Sequence, residues 1–349
     1  MEDDGRRTGD FLSAFFFFPF DFFSLLPLSL ANENLFNPVH FTNQAMKPGS
    51  PINSGGPPLG SPVSTESRSP SSTAAISWNN VAIEYERRVE PFTTSFVQEM
   101  LEPFLPLGQN EKNRLLDLGC GCGKGSSIAS DLGFDDVVAC DLSPEMIART
   151  KRRYPHITSM VADGQNLPFD NEFDFCMSAF SVIFFPDVGA GLQQIKNSLV
   201  EGGRVVISAW GDPTETPAFQ IFPTAIQQEF PEFVHSSKPR RLTGAKDSLT
   251  QLFEEAGLEE ISVVGPIERH IQVPTAEDFY NRFALTSSSP NIISLLQKLD
   301  EHQNDRLRNA VMELATTRSD KSDCISIPSS CYFAYGKKPT EDQKRLEEN

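Results

Sequence analysis

Leu115-Leu116-Asp117-Leu118-Gly119-Cys120-Gly121-Cys122-Gly123-Lys124-Gly125 is the stretch that decides the fold. An apolar strand ends in an acid, and a glycine run then leads into a helical pattern beginning near Ser126. Glycine accepts positive φ and lets a ligand approach the backbone closely. A strand that turns through such a loop into a helix N-terminus is suited to a nucleoside-bearing ligand. The same design repeats downstream. Val137 to Cys140 reads as a second strand ending at Asp141, and Ser159 to Ala162 as a third ending at Asp163-Gly164. Three strand ends thus deliver carboxylates to one edge of a parallel sheet, the edge where doubly wound folds bind ligands.

Spacing narrows the ligand. A dinucleotide fingerprint G-x-G-x-x-G started at Gly119 meets Lys124 at its third glycine position, and started at Gly121 it meets Ser126. A phosphate loop G-x-x-x-x-G-K-[ST] is one residue short between Gly119 and the Gly123-Lys124 pair, and Gly125 stands where a hydroxyl is required. What remains is a ligand with a ribose and a base but no phosphate chain. An acid about 20 residues beyond the turn holds ribose hydroxyls in related folds, and Asp141 occupies that place.

The sequence here resembles a known family. Asp117-Leu118-Gly119-Cys120-Gly121-Cys122-Gly123 is similar to the D-x-G-x-G-x-G motif of class I S-adenosylmethionine-dependent methyltransferases, and Asp141 and Asp163-Gly164 match the acidic positions after their second and third strands. Phe173 to Phe180 followed by Phe185-Pro186-Asp187 looks like their fourth strand and its loop. Ser198 to Ser208 resembles the start of their fifth strand, with Glu201 where proline is usual. The resemblance runs from about Ser77 to Pro339 and is nearest to the methyltransferase type 11 group of ubiquinone and menaquinone C-methyltransferase-like enzymes.

That resemblance implies an α/β fold: a Rossmann-like, doubly wound, seven-stranded sheet with the last strand antiparallel, paired as a hairpin, and a helical insert after the fifth strand. It implies S-adenosyl-L-methionine as cofactor. The backbone at Gly119, Gly121 and Gly123 would pass the methionine part, whose amino group Asp117 would help hold. Asp141 would bind the ribose hydroxyls, and Leu142 and Met146 would pack on adenine. Asp163 would accept from the adenine amino group, with the Gly164 or Gln165 amide donating to the ring. Ser178, Ala179 and Phe180 would line the sulfonium side, and Tyr85 would cover the methionine end.

Purely structural roles compete at several of these positions. Asp141-Leu142-Ser143-Pro144-Glu145 is also a helix start, with Ser143 as N-cap and Pro144 in the first turn. Asp163-Gly164 is also an ordinary turn, and Phe180, Phe184 and Phe185 read foremost as packing residues. Ribose binding is taken as the one demand on the Asp141 side chain, so its removal is expected to leave the fold intact.

The chain of 349 residues carries a formal net charge of −17. Nucleic-acid enzymes need a basic face, so the partner expected is a small molecule, with no nucleic acid. Cys120, Cys122, Cys140, Cys176, Cys324 and Cys331 show no C-x-x-C pair and no zinc-like spacing, which suits reduced thiols in a cytoplasmic protein without a metal. Residues 1–45 read as an apolar low-complexity extension. Its tract from Phe11 to Leu30 is broken by Pro19, Asp21 and Pro27, which disfavours a membrane-spanning helix of the ~20 residues needed. Met46 is a candidate physiological start. Residues 46–76 read as a disordered Pro/Ser/Gly linker, 77–339 as the catalytic domain with a lid or substrate insert in 210–330, and 340–349 as a charged tail. Nothing in the sequence speaks to oligomeric state.

After Trp210 the strand–helix alternation stops. Pro213 to Leu242, with Pro217, Pro223, Pro231 and Pro239 after the first proline, reads as short segments of an insert. Leu249 to Leu258 reads as a helix, Glu260 to Val264 as the start of the sixth strand, Ile292 to Leu314 as one long amphipathic helix and Cys331 to Gly336 as the last strand. His235, His270 and Tyr85 are candidate bases, His156 reads as a surface residue, and Arg240-Arg241 could face an acidic acceptor; no catalytic residue is assigned. Two other functions stay open: an inactive S-adenosylmethionine-binding interaction protein, and a nicotinamide-dependent oxidoreductase, which the glycine register disfavours.

Overall fold

The structure, a computed structural model, describes residues 70–108, 113–233, 246–286 and 290–340. The apolar extension, most of the linker, His235, Arg240, Arg241 and residues 341–349 lie outside the described residues. Ahead of the sheet come helices α1 (Pro70–Arg88), α2 (Glu90–Thr93) and α3 (Val97–Leu101). Strands and helices then alternate: β1 (Arg114–Leu118), α4 (Lys124–Asp131), β2 (Asp136–Asp141), α5 (Pro144–Arg153), β3 (Thr158–Val161), β4 (Phe173–Ser178), α6 (Val188–Ser198), β5 (Leu199–Trp210). The rest comprises α7 (Pro217–Glu229), α8 (Lys246–Glu255), β6 (Glu259–Val273), α9 (Ala276–Thr286), α10 (Pro290–Lys298), α11 (Glu301–Arg318) and β7 (Ile325–Lys337).

The seven strands form one sheet in the order β3-β2-β1-β4-β5-β7-β6. The first five are parallel, and β7 runs antiparallel to both β5 and β6. Such a parallel sheet is covered on both faces, so its strands read as continuous apolar runs; Leu115, Leu116, Cys140, Cys176, Val205 and Ile207 are all fully buried. Strand order reverses between β1 and β4, which opens a crevice beyond the carboxyl ends of the strands. The register pairs Asp117 with Ala139 and Asp141 with Val161, so successive acids are staggered along that edge.

The linker ends earlier than expected. Helix α1 begins at Pro70, because proline is preorganised for a first turn and the stripe Ala74, Ser77, Val81, Ala82 buries one face. Its last turn carries Arg87 and Arg88, placed favourably against the helix dipole. Helix α4 likewise starts at Lys124, capped by Gly123 at φ +87°, rather than near Ser126.

Two expectations beyond β5 need correction, and the helical insert proves to be in two parts. The segment from Pro213 is dominated by a regular 13-residue helix, α7, with Pro217 in its first turn and Pro223 inside it. Ala218, Ile221, Phe222 and Ala225 are buried against a second apolar cluster, and that packing holds the helix despite the missing donor. The single helix over Ile292–Leu314 is two helices. Asp300 caps α11 by accepting the Gln303 N–H at 2.8 Å, while Gln303 Oε1 accepts the Asp300 N–H at 3.0 Å, a reciprocal box that starts a new helix. The insert is also divided: α7 follows β5, whereas α9, α10 and α11 lie between β6 and β7. These two strands pair antiparallel from Glu259–Lys337 to Val273–Ile325, joined through three helices rather than a tight turn. The helices and the far ends of β6 and β7 enclose the second cluster, where Phe279, Leu307, Val311 and Ile327 are fully buried. Among the described residues, no helix is long and apolar enough to cross a membrane.

Candidate active site

The glycine loop is shaped by backbone hydrogen bonds. The N–H groups of Gly119 and Cys120 both donate to the Cys140 carbonyl, at 2.7 and 3.0 Å, which bends the chain sharply off β1. Gly119 sits at φ +74° and Gly121 at +56°, conformations that side-chain-bearing residues avoid. A Cβ on Gly119 would fall 1.7 Å from Ser181 Oγ, and one on Gly121 would lie 3.2 Å from Tyr85 Cε1.

Beside this loop, the carboxyl ends of the parallel strands border a cavity of about 320 Å³. Of the residues marked out in the sequence, Gly119, Gly121, Asp141, Leu142, Met146, Asp163, Gly164, Gln165 and Ala179 line it. Asp117, Gly123 and Ser178 do not. Asp117 lies behind the loop, 2% exposed, with Oδ2 accepting from Ser126 Oγ at 2.6 Å. Gly123 makes the turn into α4, where a Cβ would meet Thr150 Cγ2 at 2.6 Å. Ser178 Oγ donates to the Leu118 carbonyl at 2.9 Å and ties β4 to β1.

Asp141 has more than one task, contrary to the sequence expectation. Oδ2 accepts the Gly121 N–H at 3.0 Å and Oδ1 the Ser143 N–H at 2.8 Å, so the side chain fastens the glycine loop to the start of α5. Ser143 caps that helix as expected, accepting the Met146 N–H. Burial lifts the Asp141 carboxyl to about 6, against the pull of those N–H donors. Asp163 does form a turn, Oδ1 accepting the Gln165 N–H at 2.9 Å. Phe185 seats on Gly164, where a Cβ would lie 2.3 Å from Cζ.

Burial also lifts Asp117, to about 7, and the Asp141 charge adds to the rise. An acid whose folded value stands above its ordinary 3.8 holds a proton that the unfolded chain has released. Its contribution to stability is therefore present at low pH and is lost as pH rises towards 7. Asp117→Asn is expected to flatten the fall in stability of the free protein over the upper part of that range, where Asp141 is already ionised. Urea unfolding at pH 5, 6 and 7.5 checks this; an unchanged slope in the variant would contradict it.

The opposite wall is aromatic, and sequence reading missed most of it. Trp210, at the end of β5, stacks on Phe180 with centroids 3.9 Å apart and lies parallel to Phe92 at 5.8 Å. Phe219 tilts against Trp210 at 4.9 Å. Phe180, at φ +56°, is buried, donates its N–H to Ser208 Oγ and lines the cavity as well as packing on Trp210. Arg282 of α9 also lines the cavity, with its guanidinium 5.4 Å from the Phe92 ring centre. Trp210 was findable as the large aromatic closing the β5 run; Arg282 had no sequence signal, because α9 belongs to no motif.

Tyr85 lines the cavity beside Gly121, its hydroxyl 3.4 Å from Thr93 Oγ1, and burial raises the phenol well above its ordinary value. Its phenol therefore keeps its proton near neutral pH. His156 is exposed. His270, on β6, stands 3.1 Å from both Ser326 Oγ and Asp320 Oδ2 and does not line the cavity. Cys122 and Cys140 are pushed by burial to about 12, so these thiols stay protonated.

Comparison with known proteins agrees with this geometry. A family described as a methyltransferase domain matches residues 116–207. Demethylmenaquinone methyltransferase of Beutenbergia cavernae is 36% identical over 112 residues, covering 32% of this chain and 46% of that protein. The enzyme of the same name from Paenarthrobacter aurescens is 31% identical over 161 residues, covering 43% of this chain and 63% of that one. The chain thus spans about half the length of these curated relatives. Among solved structures, a protein from Bacillus halodurans described as a putative methyltransferase overlays with a TM-score of 0.44 at 16% identity, over 70% of this chain and all of that one. The strand order, the glycine loop and its acids agree with the α/β fold expected from the sequence, and residues 116–207 match the methyltransferase domain family.

Proposed function

We propose that the chain transfers a methyl group from S-adenosylmethionine to a small-molecule acceptor in the cytoplasm. The observation that carries this reading is the half-buried Asp141 carboxylate at the end of β2, at the cavity wall, fastened to the Gly121 N–H and sharing that wall with Asp163. A half-buried carboxylate seeks further donors, and ribose hydroxyls supply them. Leu142 and Met146 offer an apolar bed for a base, and Asp163 with the Gly164 and Gln165 amides offers hydrogen bonds to its edge. Gly119 and Gly121 leave room for a chain to pass along the backbone, which a Cβ at either would remove. Asp117 braces the loop from behind through its bond to Ser126 Oγ, while Gly123 and Ser178 hold the shape of the site. Ala179, which lines the cavity, would flank the sulfonium.

The bound cofactor supplies an electrophilic methyl group on a sulfonium. Transfer to an in-line nucleophile neutralises charge, so positioning can provide much of the acceleration. The described residues are built for that: a rigid loop on one side, stacked aromatic rings on the other, and a neutral Tyr85 between them. A net charge of −17 supports a small-molecule acceptor over nucleic acid.

Incubating the full chain with methyl-labelled S-adenosylmethionine and a panel of aromatic and enolic acceptors tests the proposal. Label on an acceptor, abolished by Asp141→Ala, is expected. Cofactor binding with no transfer to any acceptor class would favour the inactive binding protein instead.

A further inference from the structure

Arg282 is 9% exposed and lines the cavity, yet no carboxylate pairs with it among the described residues. Two half-buried arginines near the glycine loop do have acids, whereas Arg204, far along β5, also lacks one among the described residues and lies over Phe104 and Phe175. Arg149 meets Glu86 and Glu145, and Arg153 meets Glu86 and Glu90. The Arg282 guanidinium instead lies over the Phe92 ring, and desolvation pulls it down to about 10 from its ordinary 12.5. A buried cation without a counter-charge is costly. Its retention beside an open cavity is explained if the counter-charge arrives with a ligand.

Position decides which ligand. Asp141 and Asp163 stand at the ends of β2 and β3, on one flank of the sheet's carboxyl edge. Arg282 stands on the other flank with the rings of Phe92 from α2, Phe180 beyond β4 and Trp210 at the end of β5, and Phe219 and Phe283 extend that wall. Guanidinium is the side chain best suited to a forked hydrogen bond with a carboxylate, and it tolerates an aromatic neighbour. Flat aromatic walls favour a planar or extended apolar body. We propose that Arg282 is an acceptor-binding residue, and that the methyl acceptor is an anionic molecule with a planar apolar body whose carboxylate pairs with Arg282 against the Trp210–Phe92 wall. This rests on the methyltransferase reading above and narrows its acceptor class.

The test uses the full chain saturated with S-adenosylhomocysteine, with 2-naphthoate and its neutral methyl ester as probes, read by quenching of tryptophan fluorescence. Wild type is expected to bind the naphthoate at least tenfold more tightly than the ester. Arg282→Leu should weaken naphthoate by tenfold or more, leave the ester within twofold, and leave the S-adenosylhomocysteine affinity, measured by calorimetry, within twofold. Arg282→Lys should recover part of the naphthoate affinity. Unchanged cofactor affinity also shows that the variant is folded. The proposal is overturned if wild type binds the ester as well as the anion or binds neither. It is overturned equally if Arg282→Leu loses cofactor affinity while naphthoate is unaffected, which would put the arginine on the cofactor's own carboxylate. Absence of S-adenosylhomocysteine binding in wild type would instead sink the methyltransferase reading, and naphthoate binding without it would still report on Arg282.

Discussion

Asp141→Ala is expected to weaken S-adenosylhomocysteine binding about 100-fold and to lower stability by about 2–4 kcal/mol. Hydrogen bonds to a charged group contribute roughly 1.5–3 kcal/mol each, and stranding a buried donor costs about 1–3 kcal/mol. The variant loses the proposed ribose contacts and also leaves the N–H groups of Gly121 and Ser143 without their present acceptor. The two losses are separable. Asp141→Asn retains one oxygen able to accept from the backbone, so it should keep more of the stability while still losing most of the affinity. Calorimetry with S-adenosylhomocysteine and urea unfolding of both variants make the comparison. Affinity within a few-fold of wild type in Asp141→Ala would remove the ribose assignment.

Gly119→Ala should be as severe, for a different reason. The left-handed conformation at φ +74° costs an L-residue about 1–2 kcal/mol, and the new methyl group would overlap Ser181 Oγ and Cβ, at 1.7 and 2.3 Å. Ser181 must therefore move, and Ser181 itself lines the cavity. Loss of measurable cofactor binding and a lower melting temperature are expected. The double variant Gly119→Ala/Ser181→Gly removes the overlap but keeps the backbone cost, so it should regain part of the stability lost by the single change. Full stability in the single variant would show that the loop adopts another conformation in solution.

The half of the chain nearest the glycine loop was legible because its signals are local. Strands β1 and β2 are apolar runs ending in an acid and β3 is followed by Asp163, and parallel pairing places those ends along one edge. The second role of Asp141 was not legible, since the Gly121 N–H that it holds comes from the neighbouring strand's loop and depends on register. The break at Asp300 was written in the sequence as Asp300 and Gln303, yet the apolar spacing continues on both sides and masked it. Arg282, Phe92 and Phe219 reach the cavity from α9, α2 and α7, helices brought over the sheet edge by tertiary packing. Only the second apolar cluster, built from segments far apart in sequence, puts them there.

The central claim is that the glycine loop and the acids beside it bind an adenosyl ligand without a phosphate chain. Calorimetric titration of the full chain with S-adenosylmethionine, S-adenosylhomocysteine and NAD tests it most directly. Micromolar binding of both adenosyl compounds and none of NAD is the predicted result. NAD binding, or no binding of either adenosyl compound, would contradict the account.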